Sequence, residues 1–235
     1  MTTHLESRPT TTTRSPFRGN RMVLAGALLY LLEWVAIIAA HLGVPVGPSA
    51  TMTKVSDAYS GHVNAFGWAA GWFSVVLLGR LLLVVGLRAA LAGSTRVRGL
   101  LDLAVVAMAI SIALEVATYA VAAGAALALS HGGSAQVTAG LDAVSWDLNL
   151  TIFGPLGTSV ILCALAMWRS EQFGNVLCAV GGLAGLVLVV QALLFSGPDQ
   201  SSVAAGLQAG VALFWIWMIW TGVVVWRRRG APSDG

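Results

Sequence analysis

Six apolar runs, at roughly 22–42, 65–91, 99–128, 143–168, 173–195 and 203–226, take up most of this chain. A helix needs about 20 apolar residues to cross the hydrocarbon of a bilayer, and each run meets that length. The chain is 57% hydrophobic and 10% charged, against about 25% charged in an ordinary soluble domain. It lacks the polar surface that a soluble globule needs, so the expected solvent is the lipid bilayer. The fold class expected is all-α integral membrane, a six-transmembrane-helix bundle.

The first 20 residues, MTTHLESRPTTTTRSPFRGN, are rich in Thr, Ser, Pro and Arg and cannot bury a core. They read as a disordered cytoplasmic N-terminal tail. The apolar run behind them exceeds the signal-peptide core of about 7–15 residues and reads as a first span. Residues 21–229 form the expected transmembrane domain, and 230–235 a C-terminal tail.

Loop charge sets the orientation, because basic residues stay on the cytoplasmic side. Arg8, Arg14, Arg18 and Arg21 precede span one. Arg88, Arg96 and Arg98 join spans two and three, Arg169 joins four and five, and Arg227, Arg228 and Arg229 follow span six. Of the 13 basic residues, only Lys54 falls in the opposite loops, and Arg80 lies within a span. Both termini are therefore expected in the cytoplasm of a cell whose inner membrane holds the chain. The basic balance of +3 is accounted for by these loop ends, so no nucleic-acid partner is expected. The oligomeric state is not legible.

Polar residues inside the spans carry the functional expectation. Glu33 lies near the middle of span one, Arg80 in span two, and Glu115 in span three with Tyr119 one turn beyond. Asp147 and Asn149 are near the outer end of span four, Gln191 near that of span five and Gln208 near that of span six. The Cα–Cβ bond tilts toward the helix N-terminus. On antiparallel spans, Glu33 and Glu115 then lean toward the layer that Arg80 leans into from the other side. An unpaired charge at that depth costs at least about 2.5–3.5 kcal/mol, so Arg80 should meet one of the two acids. The other acid is left over and inclined to hold a proton, since burial and a like charge both disfavour the ionised carboxyl.

Nine tryptophans are many for 235 residues. Trp34 adjoins Glu33, Trp146 adjoins Asp147, and Trp72 sits on span two. These three are expected to wall a cavity, while Trp68, Trp168 and Trp226 suit interfacial belts. His41, His62 and His131 fall in outer loops and Cys163 and Cys178 in apolar stretches. Neither set has metal-ligand or disulfide spacing. No cofactor and no metal is expected.

The segments AGALLYLLEW and IFGPLGTSVILCALAMWRSEQFGNVLCAVGGLAG resemble a bacterial family of small polytopic membrane proteins of unknown function. That likeness implies membrane location and a helical fold, and no activity. The architecture is also similar to that of small integral-membrane terpene cyclases, which use carboxylic acids as proton donors in an aromatic-lined pocket. This second likeness implies a class of mechanism only.

The leading functional expectation is a membrane enzyme that handles a hydrophobic small molecule by acid–base chemistry in one outer-half cavity. Glu33, Glu115 and Asp147 are the candidate acids and bases. Arg80, Tyr119, Asn149, Trp34, Trp72, Trp146, Gln191 and Gln208 are the candidate substrate-binding residues. The alternatives are a proton-coupled carrier built on the same Glu–Arg layer and a non-enzymatic accessory protein.

Overall fold

A computed structural model describes residues 17–40, 46–47, 50–91, 95–194 and 201–227. The described residues form helices, turns and loops with no strand. The helices are α1 (Phe17–Leu31), α2 (Glu33–Ala40), α3 (Met52–Tyr59), α4 (Val63–Val76), α5 (Leu78–Ala90), α6 (Thr95–Ser130), α7 (Ala135–Thr151), α8 (Phe153–Arg169), α9 (Asn175–Leu194) and α10 (Ser201–Arg227).

Among the described residues, five helical stretches are long and apolar enough to cross a bilayer. They are Val63–Ala90, Val97–Ser130, Ala135–Arg169, Asn175–Leu194 and Ala209–Arg227. Their outward faces are oily. Leu193 is 71% exposed, Val75 56% and Leu103 55%. Apolar residues facing outward on several helices would be a liability in water, and they are what lipid requires.

The helices form a closed ring in chain order. α1 packs on α5 and α2 on α4; α4 and α5 pack on α6; α6 packs on α7 and α8; α8 packs on α9, α9 on α10, and α10 returns to α1. Small residues set the closest approaches, as membrane helices favour. A Cβ on Gly26 would lie 2.5 Å from the Gly79 carbonyl oxygen, and a Cβ on Gly79 would lie 2.5 Å from the Gly26 oxygen. Gly157 and Gly185 repeat that arrangement between α8 and α9.

Three long stretches are interrupted partway. At Ile152 the cause is local: Pro155 has no N–H to offer the Thr151 carbonyl and its ring crowds that oxygen. At Leu32 a side chain intrudes, because the Trp72 indole Nε1 donates to the Leu32 carbonyl at 3.0 Å. A group inserted into the ladder of backbone bonds bends a helix. There Leu32 N turns to Leu29 O and Val35 N to Leu32 O, both at 3.2 Å. At Leu77 the Arg80 amide bonds back three residues to the Leu77 oxygen at 3.1 Å. Glu33 therefore opens α2, and Arg80 sits in the first turn of α5.

The expected span boundaries lie within a few residues of the helices, with three differences. α1 starts at Phe17, inside the stretch expected to be tail, and residues 1–16 and 230–235 fall outside the described residues. Span four is longer than expected, starting at Ala135. Ser134 caps it, accepting from Val137 N at 3.3 Å, and Gly132 takes the positive φ of 83° that the tight turn before it needs. The loop after span one also contains a short helix, α3, which apolar periodicity did not suggest.

Candidate functional site: a buried Glu–Arg–Glu cluster

Arg80 is 2% exposed, and Glu33 and Glu115 are each 7% exposed. The Arg80 guanidinium, through Nη2, donates to the Glu115 carboxylate, joining α5 to α6 in a buried ion pair. The third charge stays close. Glu33 lies within electrostatic reach of both Arg80 and Glu115, with the Tyr30 hydroxyl beside its carboxyl. Tyr30 is one turn before Glu33, so the two share a face of the chain despite the interruption at Leu32.

Aromatic rings enclose these groups. The Arg80 guanidinium carbon stands 5.0 Å from the Tyr30 ring centre, within cation–π range. Tyr30 stacks on Trp215 at 4.4 Å, with Trp34 tilted against Trp215 at 5.7 Å. Tyr119 stacks on Phe73 at 3.8 Å. Among the described residues, Arg80 Nε is buried without a hydrogen-bond partner, and so is the Ser111 hydroxyl one turn before Glu115 on α6.

One guanidinium serves two carboxyls here. Glu115 takes the direct contact. Burying Glu33 ionised would add an uncompensated negative charge to the bundle, which is far more costly than burying it neutral. The arrangement therefore suits a carboxyl that holds a proton and can exchange it.

Several expected members stand elsewhere. Asp147 is exposed on α7 and is not among the groups around Glu33. Asn149 is half-buried on the same helix. Trp34 is 43% exposed, turned outward from the neighbouring acid. Trp72 spends its indole N–H on Leu32 and stacks on Trp68 at 5.4 Å. Trp146 lies against Gly47, where a Cβ would come within 3.2 Å of its ring. Gln191 is buried, but its amide faces α10 at Gly210, and among the described residues neither of its polar atoms has a partner. Gln208 falls on α10 at a position whose side chain lies outside the described residues, and His41 lies outside them altogether. Of the residues expected to share one cavity, the structure brings Glu33, Arg80, Glu115 and Tyr119 together, and adds Tyr30.

A second polar centre escaped the sequence. Asp142 on α7 is 1% exposed. One of its oxygens accepts from Val46 N at 2.9 Å and from the Tyr59 hydroxyl at 2.7 Å, and the other from Gly47 N at 3.0 Å. Tyr59 ends α3 and stacks on Phe66 at 4.7 Å. Burial first, and then the Asp142 hydrogen bond and charge, push the Tyr59 hydroxyl well above its ordinary ionisation range. This centre pins the α3 segment onto α6 and α7, over a small core of Val55, Tyr59, Ala122, Ala125 and Ala126. The missed signal was the spacing: Asp142 and Asp147 are five residues apart, which on an α-helix puts them on different faces.

Among the described residues, no group of three or more His, Cys, Asp or Glu could hold a metal ion. Comparison with known proteins returns no match to a family model, a curated protein or a solved structure.

Proposed function

We propose that this chain is a six-span inner-membrane carrier, with both termini in the cytoplasm, that couples movement of a hydrophobic small molecule to proton exchange at Glu33. The observation that carries the reading is the ratio of charges in the buried cluster: two carboxyls share one guanidinium that already pairs with Glu115. The positions of Glu33 and Arg80 support it further. Each begins a helical segment just after an interruption in its span, and interrupted helices are a recurrent way of building coupling sites in carriers. The same interruptions give the bundle places to bend when the charge on Glu33 changes. The loop-charge pattern supports the orientation, with residues 43–63 outside.

The test uses membrane vesicles holding an imposed pH gradient, to which lipid-soluble compounds extracted from the host are added. A coupled carrier dissipates the gradient in response to one of them, and Glu33→Gln abolishes that response. A gradient that no fraction disturbs, in vesicles shown to contain folded protein, contradicts the carrier reading.

The aromatic enclosure favours one second reading, a membrane enzyme in which the Glu33 acid protonates an isoprenoid-like alkene. The carboxyl would give up its proton to form a carbocation and recover one when the product loses a proton. In that case Glu33→Gln leaves vesicle gradients unaffected and makes a lipid-soluble precursor accumulate in the host.

A further inference from the structure

The backbones of α8 and α9 come together at Gly157 and Gly185. Between that contact and the turn joining the two helices lies a groove of ≈ 500 Å³. Ala164, Leu165, Cys178, Ala179 and Gly182 form its apolar walls, and Trp168 stands at its end. The space beside Gly182 is open: a Cβ there would meet nothing within 4 Å. Trp168 is 62% exposed and belongs to the interfacial level, where amphipathic indoles settle.

A second hollow, of ≈ 530 Å³, shares Trp168 and Asn175 with the first and adds Arg169 and Glu171. The two hollows therefore run from an apolar trough onto a charged mouth. Arg169 and Glu171 are both exposed, and among the described residues neither takes part in an ion pair. An Arg presents a fork suited to a phosphate, and a carboxylate accepts from an ammonium. One cation and one anion two residues apart, above an apolar trough at the membrane interface, complement one kind of molecule.

We propose that this groove is a binding site for a single aminophospholipid. An acyl chain lies along Gly182 and Ala179, the phosphate meets Arg169 and the primary ammonium meets Glu171. The site is separate from the Glu33 cluster and does not depend on the carrier reading.

The experiment is native mass spectrometry of the full chain in mild detergent, with dioleoyl phosphatidylethanolamine, phosphatidylglycerol and phosphatidylcholine added separately. The wild type retains one phosphatidylethanolamine in preference to the other two. Glu171→Gln erases the preference over phosphatidylcholine, a change of about tenfold if the ammonium contact is worth about 1.4 kcal/mol. Arg169→Gln weakens all three phospholipids together. Gly182→Leu fills the trough and releases the lipid, with Ala179→Leu as a second filler at an exposed position and melting temperature as the check on folding. Equal retention of all three lipids by the wild type overturns the proposal. So does a preference for phosphatidylglycerol, or undiminished phosphatidylethanolamine retention by both folded filler variants.

Discussion

Arg80 on α5 and Glu115 on α6 form an ion pair whose side chains are 1% and 9% exposed. Removing one partner of such a pair strands the other, at a typical cost of about 3–5 kcal/mol. Arg80→Ala is therefore expected to lower the melting temperature in detergent sharply. Because Glu115 makes the direct contact, Arg80→Ala with Glu115→Gln should recover more stability than Arg80→Ala with Glu33→Gln. Equal recovery by the two double variants would mean that the pairing is misassigned.

The Asp142 centre predicts a pH dependence of its own. The folded state raises the ionisation of Tyr59 above its unfolded value, so its contribution is fully present below about pH 10, the ordinary tyrosine value. It is lost as the pH rises beyond that. The wild type should lose thermal stability between pH 9 and pH 11 (approximate bounds for a tyrosine titration) more steeply than Tyr59→Phe does. Asp142→Ala should cost about 1–3 kcal/mol for each buried donor left without a partner. Parallel pH profiles for wild type and Tyr59→Phe would remove Tyr59 from the account of alkaline stability.

Close packing at Gly26 and Gly79 leaves no space for a methyl group, since backbone atoms stand 2.5 Å from each would-be Cβ. Backbone cannot swing aside as a flexible side chain can. Gly26→Ala and Gly79→Ala should each destabilise the bundle, by about 1–3 kcal/mol or more. Gly67→Ala and Gly124→Ala, where a Cβ meets nothing within 4 Å, should be tolerated. Thermal melts of the four purified variants test the contrast.

Hydropathy and charge counting reached the helices and four members of the cluster, Glu33, Arg80, Glu115 and Tyr119 but not Tyr30, because both depend on depth along a span. Depth along a helix says nothing about direction around it. Trp34 follows Glu33 directly, yet consecutive residues point about 100° apart on a helix of 3.6 residues per turn. The acid faces inward and the indole outward. Asp147 is exposed for the same reason, and Gln191, though buried, turns to Gly210 of α10. Asp142 was overlooked because its partners come from Val46, Gly47 and Tyr59, between 83 and 96 residues earlier, and only the docking of α3 brings them near. The interruption at Ile152 was legible in Pro155. The one at Leu32 was not, since its cause is a Trp72 side chain from another helix.

Orientation is tested by single cysteines at exposed positions expected on opposite sides, Asp57→Cys on α3 and Gln172→Cys in the α8–α9 turn. In intact cells a membrane-impermeant maleimide should label the first and miss the second. Cys163 and Cys178 are buried and should leave the parent protein unlabelled. Labelling of the second cysteine alone would invert the topology and place the acids in the inner half.

Proton exchange at Glu33, the core of the proposed function, is tested most directly by infrared difference spectroscopy on the reconstituted protein, titrated through neutral pH in light and heavy water. A protonated carboxyl has its own C=O stretch, which shifts on deuteration. The wild type should show a pH-dependent band of that kind that disappears in Glu33→Gln and persists in Asp147→Asn. A wild-type band unchanged in folded Glu33→Gln, or no protonated carboxyl at any pH at which the protein stays folded, would contradict the assignment of proton exchange to Glu33.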